Sequence, residues 1–133
     1  GTGIYGEICS CYLRETVEFK GAGDLILKLD EICNWLGAPS CTTQPRFLNR
    51  DMENRYQAGG TPRPEIIRDK QMGGLEQVPF QQALKAREVL AVYIKFRQNS
   101  SMQGSIRGRL TQGKIVNFRS GLELMRMLCM IQT

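Results

Sequence analysis

Apolar residues recur at helical spacing in two stretches of the chain. In the first, from about Ala22 to Leu36, the charged residues lie largely off one apolar stripe, which consists of Leu25, Ile26, Leu29, Ile32, Cys33 and Leu36. Gly37 and Pro39 follow and predict the end of this helix. The second helix begins at Gly121 and is apolar on nearly every side, so nearly every side must be covered.

Five shorter segments are predicted to be β-strands. They span about Ile4 to Leu13, Thr16 to Phe19, Glu88 to Arg97, Gln103 to Leu110 and Ile115 to Arg119. The third segment alternates most clearly, with Leu90, Val92, Ile94 and Phe96 on one face and Ala91, Tyr93, Lys95 and Arg97 on the other. In the fourth segment, Ile106 and Leu110 are expected to face inward, and Arg107 and Arg109 outward.

Both helices follow hairpins and do not alternate with single strands. This order favours an α+β fold, in which one antiparallel sheet of about five strands carries helices on one face. The length of 133 residues predicts a single domain. We divide it into a first hairpin–helix unit (1–36), a connecting loop rich in proline and glycine (37–79), and a strand-rich second unit that ends in a helix (80–133). The loop allows a short helix from about Arg46 to Gln57.

The two hairpin–helix units resemble each other at an offset of 99 residues, which aligns Val17 with Val116 and the residues that follow each of them. Ser120 and Glu123 form a capping-box pattern at the second helix, and Gly21 with Asp24 is a weaker form of it. Gly6-x-Ile8 also corresponds to Gly104-x-Ile106 if one residue is inserted. Duplication predicts that Phe19 and Phe118 are both buried where a strand turns into a helix. The alternative to duplication is that two unrelated strand-to-helix junctions have similar residues because both need the same capping contacts.

Positive charge is concentrated near the carboxyl end. The whole chain carries +5, yet residues 89–133 hold seven basic residues against one acid, while the first 88 residues sum to −1. A candidate anion-binding face on the predicted strands consists of Lys95, Arg97, Arg107, Arg109 and Arg119. Tyr93 is the one aromatic residue expected on that face, and single-strand nucleic-acid binders normally need several. A charged, solvated sheet face is the alternative interpretation.

Little in the composition points to catalysis. The chain has no histidine, which removes the commonest general base and zinc ligand. Its five cysteines are an odd number and are expected to be free thiols. Cys9-x-Cys11 followed by intervals of 22 and 8 residues to Cys33 and Cys41 matches no usual zinc spacing. We therefore predict no catalytic residue, no metal and no cofactor.

The sequence contains no apolar run near the roughly 20 residues that span a bilayer, and its start lacks the pattern of a signal peptide. We therefore predict a cytoplasmic protein without a membrane partner.

Two short patterns resemble the signatures of PilZ domains, which bind cyclic di-GMP. They are Arg46-x-x-x-Arg50 and Asn99-x-Ser101-x-x-Gly104. The 48 residues between Arg50 and Asn99 are more than that family is expected to place there, and the repeated helix has no place in a PilZ barrel. We favour an ordinary strand-connecting turn at Ser100 and Ser101.

A further resemblance covers about residues 92–129 and, more weakly, Phe19 to Leu36. It rests on Phe96-Arg97-Gln98-Asn99, Gln103-Gly104 and Phe118-Arg119-Ser120-x-Leu122-Glu123-Leu124. In these residues the chain resembles a group of small uncharacterised proteins from Gram-positive bacteria, which usually carry tryptophan where this chain has Met102. The group has no known activity, so the resemblance implies a bacterial cytoplasmic α+β module and transfers no catalytic residue.

The sequence predicts a non-enzymatic module that acts through protein association, as a homodimer or with another protein. The expected interface lies on the carboxy-terminal helix and consists of Leu122, Met125, Met127 and Met130. Cover by the first helix or by the central loop would leave a monomer. The alternative function is binding of an anion, nucleotide or nucleic acid on the basic sheet face. An enzyme that uses a cysteine thiolate or carboxylates is disfavoured, because no nucleophile–base pair can be named.

Overall fold

The computed structural model describes residues 3–41, 45–58, 62–67 and 86–131. Its five strands are β1 (Tyr5–Ile8), β2 (Val17–Lys20), β3 (Leu90–Phe96), β4 (Gln103–Gly108) and β5 (Val116–Phe118). Its three helices are α1 (Ala22–Leu36), α2 (Arg50–Ala58) and α3 (Gly121–Cys129). None of the helices in these ranges is long and apolar enough to cross a membrane.

The predicted α+β fold with five antiparallel strands is confirmed, but the strands form two sheets and not one. β1 pairs with β2 in a two-stranded sheet, and the other sheet has the order β3-β4-β5. Each sheet is built from strands that are neighbours in the described sequence, and no described residue joins the two through backbone pairing. Side chains therefore hold the two hairpin–helix units together.

One apolar cluster joins both helices to the larger sheet. Its buried members are Leu25, Leu29, Met102, Ile106, Phe118, Leu124 and Leu128. Ile4, Ile8 and Phe19 from the first hairpin pack against the same cluster. Helices α1 and α3 thus cover the inner face of the β3-β4-β5 sheet, as predicted, and leave its other face without a helix among the described residues.

The ends of the two main helices follow local sequence signals. α1 ends at Gly37, which has a left-handed backbone (φ 69°), and the N–H groups of Gly37 and Ala38 donate to carbonyl groups in the last turn. Glycine adopts this conformation without steric penalty. At the start of α3, the Ser120 hydroxyl accepts from the N–H of Glu123 at 3.1 Å. Both helices begin where the sequence predicts.

The two hairpins pair equivalent residues. Gly6 lies opposite Phe19 in the first hairpin, and Gly104 lies opposite Phe118 in the second. Two residues along, an isoleucine faces a valine in each hairpin: Ile8 faces Val17, and Ile106 faces Val116. Phe118 is buried as predicted, whereas Phe19 is only half-buried.

The acid in the first turn of each helix makes the same backbone contact. Asp24 accepts from the N–H of Lys20 at 2.9 Å, and Glu123 accepts from the N–H of Arg119 at 2.7 Å. Each carboxylate thereby binds the residue just before the helix cap and lies at the positive end of the helix dipole. The predicted capping box is therefore confirmed in part: Ser120 binds the N–H of Glu123, but each acid binds the residue before the cap and not the cap residue itself.

A β-bulge reverses the predicted faces at the end of β3. The pairing register shifts between Ile94 and Phe96, and Phe96 lies opposite Gln103. An extra residue on one strand breaks the alternation of side chains, so the residues beyond it exchange faces. Phe96 is consequently exposed (52%), and Arg97 is buried (4%). The prediction of an inward Phe96 and an outward Arg97 is wrong.

The fourth strand ends earlier than predicted. β4 stops at Gly108, and Arg109–Thr111 form a 3₁₀ turn. The Thr111 hydroxyl donates to the Gly108 carbonyl and accepts from the Gly108 N–H, both at 3.0 Å, which draws the chain out of the strand. Leu110 is therefore half-exposed. The prediction that Leu110 faces inward with Ile106 is wrong.

The central loop is described in two parts. Helix α2 confirms the short helix and lies slightly further along the chain than predicted. The segment 62–67 runs beside the end of the first hairpin, where Leu13 and Ile66 form a β-bridge. The predicted boundary between the connecting loop and the second unit, near residue 79, lies outside the described residues.

Candidate functional site

The face of the β3-β4-β5 sheet opposite the helices is the first candidate site, and we call it the outer sheet face. Strand register and exposure assign eight positions to it: Ala91, Tyr93, Lys95, Phe96, Gln103, Ser105, Arg107 and Asn117. Ser105 lies between Tyr93 and Asn117, so these three side chains form a row across the sheet. None of the eight positions carries a carboxylate, so the face is cationic and polar.

Only part of the predicted anion-binding set lies on this face. Lys95 and Arg107 belong to it and are exposed, and neither makes an ion pair with a described residue. Arg119 follows β5 and is exposed, but its guanidinium binds Glu123 at 2.9 Å. Arg109 lies in the 3₁₀ turn and pairs with Glu88. The structure thus reduces the five predicted cations to two without an ion-pair partner among the described residues.

Arg97 belongs to a buried network instead. Its Nη1 atom donates to Asn34 Oδ1 at 2.7 Å and to Asp30 Oδ1 at 3.1 Å, and its Nε atom donates to the Pro39 carbonyl at 2.7 Å. These contacts fix the end of β3 to the last turns of α1 and to the chain that follows. Buried arginine requires such satisfaction of its donors. Arg97 therefore has a structural role and cannot reach a ligand on the outer sheet face.

The same network extends to α2. Asn34 donates to the Tyr56 hydroxyl at 2.7 Å, and that hydroxyl donates to Asp30 Oδ2 at 2.9 Å. Partial burial, with the nearby Asp30 carboxylate, raises the pKa of Tyr56. The raised pKa keeps the Tyr56 hydroxyl protonated, so that it can donate to Asp30. This hydrogen bond links α2 to α1.

The turn between β3 and β4 accounts for the second part of the PilZ-like pattern. Asn99 and Ser100 have left-handed backbones (φ 57° and 56°), the conformation that a two-residue type I′ hairpin turn requires. The Ser101 hydroxyl accepts from the N–H of Gly121 at 2.8 Å and so ties the turn to the start of α3. As the sequence analysis favoured, these residues connect strands.

The second candidate site lies on the outside of helices α1 and α3, and we call it the helix-pair patch. Its exposed apolar members are Leu27 (70% exposed), Leu122 (57%) and Met130 (80%). The two helices meet closely at Gly121, where an added Cβ atom would lie 3.6 Å from Ile26 Cγ2 on α1. In the sequence, Leu27 follows Ile26 and Leu122 follows Gly121, so each exposed leucine is next to a residue of this contact.

Two of the predicted interface residues are covered within the chain. Met127 packs against the main core, and the Met125 methyl group lies 3.8 Å from where a Cβ atom on Gly23 would stand. Both side chains are half-buried. Helix α1 thus covers part of α3, and of the predicted interface only Leu122 and Met130 remain exposed.

Leu27 was missed in the sequence, because it lies on the polar side of the predicted α1 stripe. Phe96 was missed because its face depends on the bulge. The alternation of apolar and polar residues does not reveal where a strand contains an extra residue. The exposure of a single leucine on the polar side of a helix becomes apparent only when the packing of that helix is known.

The cysteines do not form a metal centre in the described ranges. No disulfide joins any of the five cysteines there, and no group of three or more cysteine or carboxylate side chains gathers at one point. Cys33 is buried, and loss of hydration raises the pKa of its thiol despite the nearby Arg97 charge. A buried thiol with a raised pKa is a poor nucleophile at neutral pH.

An open cleft of about 420 Å³ runs between β2 and the segment 62–67, with Pro62 and Pro64 on one wall. On the other wall, Lys28 donates to Asp24 at 3.3 Å and to the Glu18 carbonyl at 3.4 Å. Because these charged groups bind one another, we assign the cleft no ligand.

The chain matches no protein-family model, no curated protein and no solved structure. The resemblance to small proteins of Gram-positive bacteria therefore stays a prediction, and the two surfaces described above are the basis for a function.

Proposed function

We propose that the protein acts by association and not by catalysis, as a homodimer held through the helix-pair patch. The observation that carries this proposal is the exposure of Leu27 and Leu122, each of which is next in sequence to a residue of the α1–α3 contact. Large apolar side chains that cluster on a surface favour association, because burial removes them from water. A second copy is the occupant that we propose, and a two-fold dimer is the commonest closed arrangement.

The exposed leucines of the two helices support such a pairing. When α1 of one copy crosses α3 of the other, Leu27 of the first meets Leu122 of the second. The two-fold operation repeats the contact, so two such leucine pairs form in one dimer.

The internal similarity of the chain is part of the proposal. We infer that residues 1–36 and the carboxy-terminal unit are copies of one hairpin–helix unit. The equivalent Gly–Phe and Ile–Val pairs and the equivalent acid contacts at the helix starts support it. Each of these two units contributes one helix to the helix-pair patch. We also keep as proposals the bacterial origin and cytoplasmic location expected from the sequence.

Light scattering with matched variants tests the interface. We expect the unmodified protein to have a dimer mass at tens of micromolar, and the double variant Leu27→Lys with Leu122→Lys to have a monomer mass. Both positions are exposed, so the melting temperature of the monomeric form should change little. Ile115→Lys is the control, because Ile115 is exposed to a similar extent (62%) but lies outside the helix pair.

The control should keep the dimer mass. A double variant that folds and remains dimeric would overturn the helix-pair patch as the interface. A monomeric unmodified protein would overturn the homodimer itself.

A further inference from the structure

We propose that the outer sheet face binds single-stranded nucleic acid, with bases stacked on Tyr93 and Phe96 and phosphates held by Lys95 and Arg107. This proposal does not depend on the dimer, because the helices lie on the opposite side of the sheet. It requires an accessible face, exposed aromatic rings and unpaired positive charge at the same place.

The aromatic rings are the first argument. Tyr93 and Phe96 are 61% and 52% exposed, and the bulge brings Phe96 to the same face as Tyr93. Without the bulge, the side chains of β3 would alternate strictly, and Tyr93 would be the one aromatic residue of β3 on the outer sheet face. Two rings on one strand can stack on successive bases, and each base stacked on an aromatic ring contributes roughly 1–3 kcal/mol.

The charges are the second argument. Lys95 lies on β3 between the two aromatic residues, and Arg107 lies opposite Ala91, which places it diagonally from Tyr93. Diagonal neighbours on adjacent strands are roughly 7–8 Å apart, within reach of a long side chain. Because neither cation makes an ion pair with a described residue, both can contact phosphates.

The remaining positions favour nucleic acid over an apolar partner. Ser105 and Asn117 lie beside Tyr93 in one row across the sheet and offer hydrogen-bond donors and acceptors for base edges or sugars. A face that mixes exposed rings, amides, hydroxyls and cations, without a carboxylate, complements an unpaired nucleic-acid strand. A duplex hides the flat faces of its bases and cannot use the two rings.

Fluorescence anisotropy with labelled oligothymidylate of about 12 nucleotides tests this at low salt, near 50 mM. We expect binding that weakens steeply as salt rises. Tyr93→Ala and Phe96→Ala should each weaken it roughly tenfold. The double variant Lys95→Glu with Arg107→Glu should abolish it.

Two controls make the result specific to the outer sheet face. Tyr5→Ala removes a tyrosine that is 80% exposed on β1, and Arg63→Glu reverses an exposed charge on the segment 62–67. Both should bind as the unmodified protein does. A circular dichroism spectrum of each variant confirms that it is folded.

Three outcomes would overturn the proposal. They are an absence of binding at low salt, equal affinity for a duplex of the same length, and an affinity that Tyr93→Ala and Phe96→Ala leave unchanged. The last would make the face a general polyanion surface, which heparin would occupy equally well.

Discussion

Gly104 lies where the backbone of β3 leaves no room for a side chain. A Cβ atom there would collide with the Tyr93 carbonyl and would stand 3.0 Å from the Phe118 ring. At the equivalent Gly6, a Cβ atom would meet only the Phe19 ring, at 3.4 Å, which is an ordinary contact. Two glycines in equivalent hairpin positions thus differ in what they tolerate.

We predict that Gly104→Ala lowers the free energy of unfolding by about 2 kcal/mol, because backbone or core must move to admit the methyl group. Gly6→Ala is the matched control and should be neutral or slightly stabilising, since it restricts the unfolded chain. Urea denaturation measures both. Equal losses in the two variants would contradict the close approach at Gly104.

Arg97 is the other position at which one side chain determines the local structure. Its replacement by methionine keeps an unbranched side chain but removes the guanidinium that donates to the Pro39 carbonyl, Asn34 and Asp30. Removing one partner of a buried ion pair costs roughly 3–5 kcal/mol, and Asp30 is partly exposed, so we expect a loss of about 3 kcal/mol for Arg97→Met.

Arg107→Met provides the comparison for Arg97→Met, because Arg107 is exposed and makes no ion pair with a described residue. It should change the free energy of unfolding by less than about 0.5 kcal/mol. Urea denaturation of the two variants under the same conditions measures both losses in the free energy of unfolding. Equal losses would contradict the structural role of Arg97.

At the scale of elements, each main helix begins with an acid that binds the preceding backbone. Backbone hydrogen bonding to Lys20 lowers the pKa of Asp24, and the contacts with Arg119 lower that of Glu123. A carboxyl whose pKa is lowered by folding stabilises the protein above its ordinary pKa. That contribution is lost as the pH falls through the lowered value.

We therefore predict that the melting temperature falls as acid protonates these groups, below about pH 4. Glu123→Gln should lower the melting temperature at neutral pH and make it fall less on acidification. Glu18→Gln, which removes an exposed carboxylate on β2, should leave the pH profile as it is. A Glu123→Gln profile parallel to that of the unmodified protein would contradict this role of Glu123.

The elements that could be predicted from the sequence are those with local signals. Helix α1 has an apolar stripe and a glycine–proline stop, and its limits are as predicted. The exposed positions of Lys95 and Arg107 also follow from the alternation of side chains. Lys95 comes before the residues of β3 whose faces are reversed, and Arg107 lies on the regular strand β4. Arg97 could not be placed, because its burial depends on partners in α1 and near Pro39 that are far away in the sequence.

At the scale of the whole molecule, the two layers present different surfaces. The helix layer exposes Leu27 and Leu122, and the sheet exposes rings and cations on its other side. These surfaces face away from each other, so a dimer through the helices leaves both outer sheet faces accessible. Two such faces in one assembly could engage one strand of nucleic acid at two places, which strengthens weak binding.

The mass of the unmodified protein over a dilution series shows whether two copies associate. A single chain has a mass of 15.1 kDa. Sedimentation equilibrium should give about twice that mass at tens of micromolar, with dissociation on dilution, and raised salt should not dissociate the dimer because its contact is mainly apolar. The mass of a single chain at every concentration would contradict the account.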